Sequence, residues 1–171
     1  MAPKGYAIHM MEPGEVPTLL ALHESAREIE PPAVATSGDP AFALNEFTRF
    51  LLAHEVFVAR EKKTGERLGF AAAAAEHDLY WIARLAVRPD VAGIGLDGAL
   101  LRAVAERAHW FFYRALGVPV AGAASRSASF YQNHGFIRIP QTDLPAWLDT
   151  KRRRVADGDD PDDRIVMLKW L

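Results

Sequence analysis

Cysteine is absent from the 171 residues. That excludes a disulfide frame, a thiol nucleophile and cysteine-ligated zinc. A dominant charge is missing too. Lys and Arg number 20 against 22 Asp and Glu, a formal net charge of −2, so the chain lacks the basic footprint of a nucleic-acid binder. No apolar run is long and uninterrupted enough to span a bilayer. The opening MAPKGYAIHMMEPGE has no sustained apolar core, so no signal peptide is read and a cytoplasmic location is the expectation. His9, His54, His109 and His134 show no i, i+4 pairing with one another, and no metal is expected. What remains is a chain half apolar, enough for one domain over residues 1–171 with a substantial core.

Hydrophobic spacing lays out the elements. Residues 6–11 read as a strand. Residues 12–29 read as a helix with Val16, Leu19, Leu20 and His23 on one side. Pro13 and Pro17 are tolerable near its start, where N–H groups lack intrahelical partners. Pro31 and Pro32 end it, and residues 30–39 form a loop over one side of the site. Asp39 and Pro40 suit the N-cap and first position of a second helix whose face carries Phe47, Phe50 and Leu51. Residues 55–60, 68–75 and 79–87 read as three strands joined by the turns KKTGE and EHD. The five alanines of the middle strand imply a closely packed neighbour. A long helix is predicted over 97–116, stopped by Gly117, with Leu100, Leu101, Val104, Ala105, Ala108, Phe111 and Phe112 on its apolar face. A strand at 118–124, a helix at 125–134 capped by Ser125 or Ser127, a strand at 136–139, a helix at 142–153 and a strand at 165–171 complete the chain.

The centre of this pattern is residues 79–101, LYWIARLAVRPDVAGIGLDGALL. A strand runs into a loop with Gly93, Gly95 and Gly98, then into a helix. Glycines let a main chain approach a ligand closely, and the first helical turn offers unpaired N–H groups with partial positive charge. Such a loop suits phosphates. The same letters spell G-x-G-x-x-G, but a dinucleotide fold wants those glycines directly after its first strand and an acid about 20 residues on. Here Arg88, Pro89 and Asp90 intervene, and residues 118–124 carry no acid.

These residues resemble the GNAT superfamily of acyl-CoA-dependent N-acyltransferases. The family motif Q/R-x-x-G-x-G/A comes after a strand ending L-x-V-x-P and precedes A-L-L. Leu85, Val87 and Pro89 match the strand end, and Ala99, Leu100 and Leu101 the close. Downstream, FYQNHGF at 130–136 is similar to the family's F-Y-x-x-x-G-F. Three positions depart from the pattern. Ala92 stands where Gln or Arg is usual, Asp97 where Gly or Ala is usual, and Trp81 where many relatives carry a glutamate. The resemblance implies an α/β (α+β) fold, a central mixed, mostly antiparallel sheet of about six to seven strands flanked by helices.

It also implies the chemistry. Main-chain groups of Leu85, Ala86 and Val87 would hold the pantetheine arm and polarise the thioester. The loop Ala92, Gly93, Ile94, Gly95, Leu96, Asp97 and Gly98 would cradle the pyrophosphate of acetyl-CoA, with Ser127 and Tyr131 also against the coenzyme. Tyr131 occupies the general-acid position. A phenol, with a reference pKa of about 10, suits protonation of a departing thiolate. A base is needed because a lysine-like amine, reference pKa about 10.4, is charged at neutrality. His77 is the preferred candidate since imidazole titrates near pH 7, alongside Glu76, Asp78, Glu24, Glu28, His23 or a water relay. Arg126 and the basic run 151–154 are candidates for the coenzyme's 3′-phosphate. The expected activity is transfer of acetyl from acetyl-CoA to a primary amine, by direct attack in a ternary complex. The acceptor is a small molecule or peptide, and the aromatic run 110–113 is read partly as a homodimer contact. The competing reading is a non-catalytic module that binds acyl-CoA or another small ligand.

Overall fold

In a computed structural model, residues 2–26, 40–153 and 163–171 are described, without the side chains of residues 40–42. Seven strands form one sheet: β1 (Tyr6–Met10), β2 (Glu55–Glu61), β3 (Arg67–Glu76), β4 (Leu79–Val87), β5 (Ala115–Ala121), β6 (Ile137–Ile139) and β7 (Arg164–Trp170). Their order is β1-β2-β3-β4-β5-β7-β6. Every pairing is antiparallel except β4 with β5. The helices are α1 (Val16–Ser25), α2 (Pro40–Leu52), α3 (Leu96–Trp110), α4 (Arg126–Asn133) and α5 (Ala146–Arg153). No helix among the described residues is long and apolar enough to cross a membrane.

Alternation along the strands splits the core between the two faces. Phe57, Ala59, Ala71 and Ala73 face α3, where Leu96, Leu100, Val104 and Ala108 cover them. Val56, Val58, Phe70 and Ala72 face the other way, against Leu19, Leu22, Phe47 and Leu51 of α1 and α2. Ala71, Ala72 and Ala73 are fully buried, so the alanine run admits helices on both sides of β3. A third cluster joins α5 to Leu79, Trp81, Ala115, Val166 and Leu168.

Several boundaries differ from the spacing. The first helix opens as a 3-10 turn at Pro13–Glu15 before α1. The predicted continuation to Ile29, the loop 30–39 and the Asp39 cap lie outside the described residues. The last helix is broken at Pro145, with a 3-10 turn at Gln141–Asp143 before α5. The largest correction concerns residues 97–116. Helix α3 stops at Trp110, Phe112 takes a left-handed backbone at φ 59°, and residues 115–121 are strand. The run WFFYRALGV is apolar almost throughout, so periodicity could not locate the break. Sheet pairing decides it: Arg114 N–H donates to the Asp78 carbonyl, and Ala115 aligns with Leu79. Gly117 is therefore no helix stop. It lies inside β5 beneath the Trp81 ring. Phe111 and Phe112, expected on the inner face, lie past the helix end, and Phe112 is 92% exposed.

Candidate active site

The site begins where two strands part. β4 and β5 align only over Leu79, Tyr80 and Trp81 with Ala115, Leu116 and Gly117. Beyond that point β5 stays with β7 up to Ala121, and β4 stays with β3 up to Val87. A gap opens between them. On β4 the register skips Ala83, since Ala72 faces Arg84 while Ala73 faces Ile82. Such a bulge bends a strand and re-aims the side chains beyond it. The side chains flip accordingly: Tyr80 and Ile82 pack in the α3 cluster, and so do Leu85 and Val87, while Ala86 packs against α1 and α2. Arg84, Leu85, Ala86 and Val87 line a groove in the gap. Its enclosed part is about 140 Å3.

The glycine loop closes one end of this groove. Arg88 N–H donates to the Leu68 carbonyl at 2.8 Å, carrying the chain across to a 3-10 turn at Pro89–Val91. Gly93 and Gly95 hold φ of 87° and 88°, a backbone that disfavours side chains. The turn delivers the chain to Leu96, the first residue of α3. Among the described residues no acceptor meets the N–H groups of Gly93, Ile94, Gly95, Leu96 or Asp97. Val91, Ala92, Gly93, Leu96 and Asp97 line the groove. Asp97 turns back on its own helix: its Oδ1 accepts from Gly98 N–H at 2.8 Å. It occupies that one amide and leaves the preceding five open, yet its charge still borders the groove.

Helix α4 forms the opposite wall. Ser125 is the cap, its Oγ accepting from Ala128 N–H at 3.1 Å, so Ser127 is free to face the groove with Arg126 and Tyr131. Tyr131 is 4% exposed, its ring held edge-on by Phe130 and Phe136, both at 5.1 Å. The structure thus brings together Leu85, Ala86, Val87, Ala92, Gly93, Leu96, Asp97, Ser127 and Tyr131. Ile94 and Gly95 belong to the loop and Gly98 to the first turn of α3, and none of the three lines the groove. Arg84, buried at 5% on the groove wall, belongs to no motif. Its one signal in the sequence is a lone charge inside the apolar strand LYWIARLAV.

The candidate bases are scattered. His77 sits at the tip of the β3–β4 hairpin with φ 54°, its ring 4.1 Å from that of Trp147 and outside the groove. Glu76 is engaged by Lys151 Nζ at 2.5 Å. Asp78 and Glu24 are exposed, and Glu28 lies outside the described residues. His23 is buried on α1 against Phe47 at 5.0 Å. Lys151 and Arg152 are engaged elsewhere: Lys151 bonds Glu76, and Arg152 is buried and bonds Asp149 and the Arg164 carbonyl. Of the described basic groups considered for the 3′-phosphate, Arg126 lines the groove; Arg154 lies outside the described residues.

Trp81 takes the strand position of the usual glutamate and borders a second cavity, of about 600 Å3, with His54 and Lys151. Burial lowers the His54 pKa below the ordinary histidine value, and nearby Lys151 adds to this against the pull of the Phe50 carbonyl. That carbonyl accepts from Nδ1–H at 2.6 Å, which leaves Nε2 of the neutral ring as an acceptor. No group of His, Cys, Asp or Glu among the described residues has the arrangement of a metal site.

A strand pair that parts beside a glycine loop at a helix start leaves a groove of the kind open to an extended ligand. The profile of the acetyltransferase (GNAT) domain matches residues 53–138, half of the chain, and the chain belongs to that family. Solved structures agree on the fold. N-acetylglutamate synthase from Neisseria gonorrhoeae, complexed with coenzyme A and N-acetyl-glutamate, is similar at 17% identity and TM-score 0.71, over 97% of this chain and 35% of that one. The chain thus spans about a third of the length of that synthase. The ribosomal-protein-S18-alanine N-acetyltransferase from Escherichia coli is similar at 18% identity and TM-score 0.68, over 96% of this chain and 93% of that one. A GNAT family acetyltransferase from Elizabethkingia anophelis with acetyl-CoA bound is similar at 17% identity and TM-score 0.65, over 98% and 99%. Comparison with curated proteins by sequence gives no match.

Proposed function

We propose that the protein transfers acetyl from acetyl-CoA to a primary amine, by direct attack within a ternary complex. The observation that carries this reading is the run of five amides, Gly93 to Asp97, that meet no acceptor among the described residues, beside the gap between β4 and β5. A helix N-terminus with open N–H groups is an anion site, here for the pyrophosphate. The pantetheine arm lies along Leu85, Ala86 and Val87, where strand amides without a partner strand polarise the thioester carbonyl. Amides fixed before reaction stabilise the tetrahedral oxyanion. Tyr131 gives its proton to the departing sulfur.

The amine must lose a proton on attack. His77 stands at the hairpin tip and does not line the groove, so in this reading it takes the proton through a water relay. A second copy covers the exposed Trp110, Phe111 and Phe112. A monomer at every concentration in sedimentation would overturn that last statement alone.

The non-catalytic alternative draws on Trp81, which replaces a carboxylate with a ring. Coenzyme A release, measured with a thiol reagent across an amine panel, separates the two readings. Amine-dependent release is expected. Acetyl-CoA binding with no release for any amine would overturn the enzyme reading.

A further inference from the structure

The second cavity adjoins the coenzyme groove through β4. Trp81 and Gly117 are the last aligned pair of β4 and β5. Ala83 and Pro119, two residues further on each strand, line the second cavity, and Arg84, next on β4, lines the groove. Consecutive residues of β4, Ala83 and Arg84, thus line the two cavities beside the point where β4 and β5 part.

We propose that this cavity, between α2, β4 and α5, receives the acetyl acceptor, and that the acceptor is a monoamine with a flat apolar body, an arylalkylamine. The inference rests on the acyl-transfer reading and specifies its substrate. At about 600 Å3 the cavity falls in the range of roughly 300–1,000 Å3 usual for small-molecule sites.

Its walls are three aromatic rings, Phe50, Trp81 and Trp147. Two of the rings are held in place. His77 packs against the Trp147 indole at 4.1 Å, and Lys151 Nζ lies 5.5 Å from the Trp81 ring centre. Charge among the described lining residues is already balanced. Glu76 is its carboxylate and Lys151 its ammonium, and the two are bonded to each other at 2.5 Å. A polyamine or aminoglycoside needs several carboxylates, and an acidic amino acid needs an unpaired cation. Neither is offered by that lining. His54 lines the cavity, and with Nδ1 bonded to the Phe50 carbonyl its Nε2 is the ring atom left to accept from a single ammonium group.

The test compares phenethylamine and tryptamine with spermidine and glutamate as acceptors for the full chain. It also measures acetyl-CoA affinity by calorimetry. The aryl amines are expected to show the highest kcat/KM, by at least about tenfold, the scale of one aromatic stacking contact. Trp147→Ala should raise their KM by a similar factor with unchanged acetyl-CoA affinity. Thr150→Phe, at an exposed position of α5 on the cavity wall, should do the same by filling it. Preference for spermidine or glutamate, or an unaltered aryl-amine KM in both variants, would overturn the acceptor assignment and leave acetyl transfer standing. Absence of acetyl-CoA binding would overturn both.

Discussion

Replacing Gly117 with alanine probes the junction between the two cavities. A Cβ there would sit 2.7 Å from Trp81 Cε3, 3.0 Å from Cζ3 and 3.3 Å from Leu168 Cδ2, against an ordinary contact of 3.4–4 Å. Trp81 is 3% exposed and Leu168 8%, so neither has free space to retreat within the core. Overpacking of this kind costs about 1–3 kcal/mol. Alanine recovers about 0.5–1 kcal/mol of backbone entropy that glycine loses in a strand. The net expectation is a loss of about 0.5–2 kcal/mol, which in a chain of this size lowers Tm by roughly 1–8 °C. Urea and thermal denaturation monitored by circular dichroism measure it. The ring's way out is toward the cavity it borders, so aryl-amine KM should rise while acetyl-CoA affinity holds. Stability equal to or above that of the parent would refute the packing reasoning.

Tyr131→Phe should lower turnover by roughly a hundredfold, within the usual range for a lost general acid, with coenzyme affinity nearly unchanged in calorimetry. Asp97→Asn removes a negative charge beside the pyrophosphate site. At about 6 Å and an effective dielectric of 20–80 that is worth roughly 1–3 kcal/mol, so coenzyme A should bind at least about fivefold tighter at low salt, less so at high salt. Glu55→Gln tests the cluster in which Arg107 and Tyr80 both donate to that carboxylate. The Arg107 guanidinium holds the Glu55 pKa below the ordinary carboxylate value, against burial, with the Tyr80 hydroxyl assisting. The carboxylate therefore stabilises the fold above its unfolded pKa, and that contribution disappears as pH falls through the lower folded value. Since both partners are about a third exposed, the variant should lose about 0.5–1 kcal/mol at pH 7. The difference from the parent should vanish in urea titrations well below pH 4.

The strand ending at Val87 and the three-glycine loop were legible because their chemistry is local. The positive φ at Gly93 and Gly95 favours glycine, and a helix start offers amides to a phosphate. Tyr131 was legible through the resemblance of FYQNHGF to the family signature F-Y-x-x-x-G-F, and the structure buries it on α4. The break between α3 and β5 was not, because WFFYRALGV offers no glycine or turn signal until Gly117. Only the pairing with β4 decides where strand begins. Arg84 was hidden because its role depends on a bulge at Ala83, which moves it to the groove wall. The second cavity was equally invisible. It assembles Phe50, Trp81, Pro119 and Trp147 from four elements, and no local pattern predicts such a meeting.

The central claim concerns the amides of the glycine loop, and nuclear magnetic resonance addresses it residue by residue. In a titration of the 15N-labelled protein with coenzyme A, the N–H resonances of Gly93, Ile94, Gly95, Leu96 and Asp97 should move downfield as they acquire acceptors. That of Gly98, already bonded to Asp97, should move least. Saturable binding with these five resonances unmoved, or no binding at all, would contradict the account.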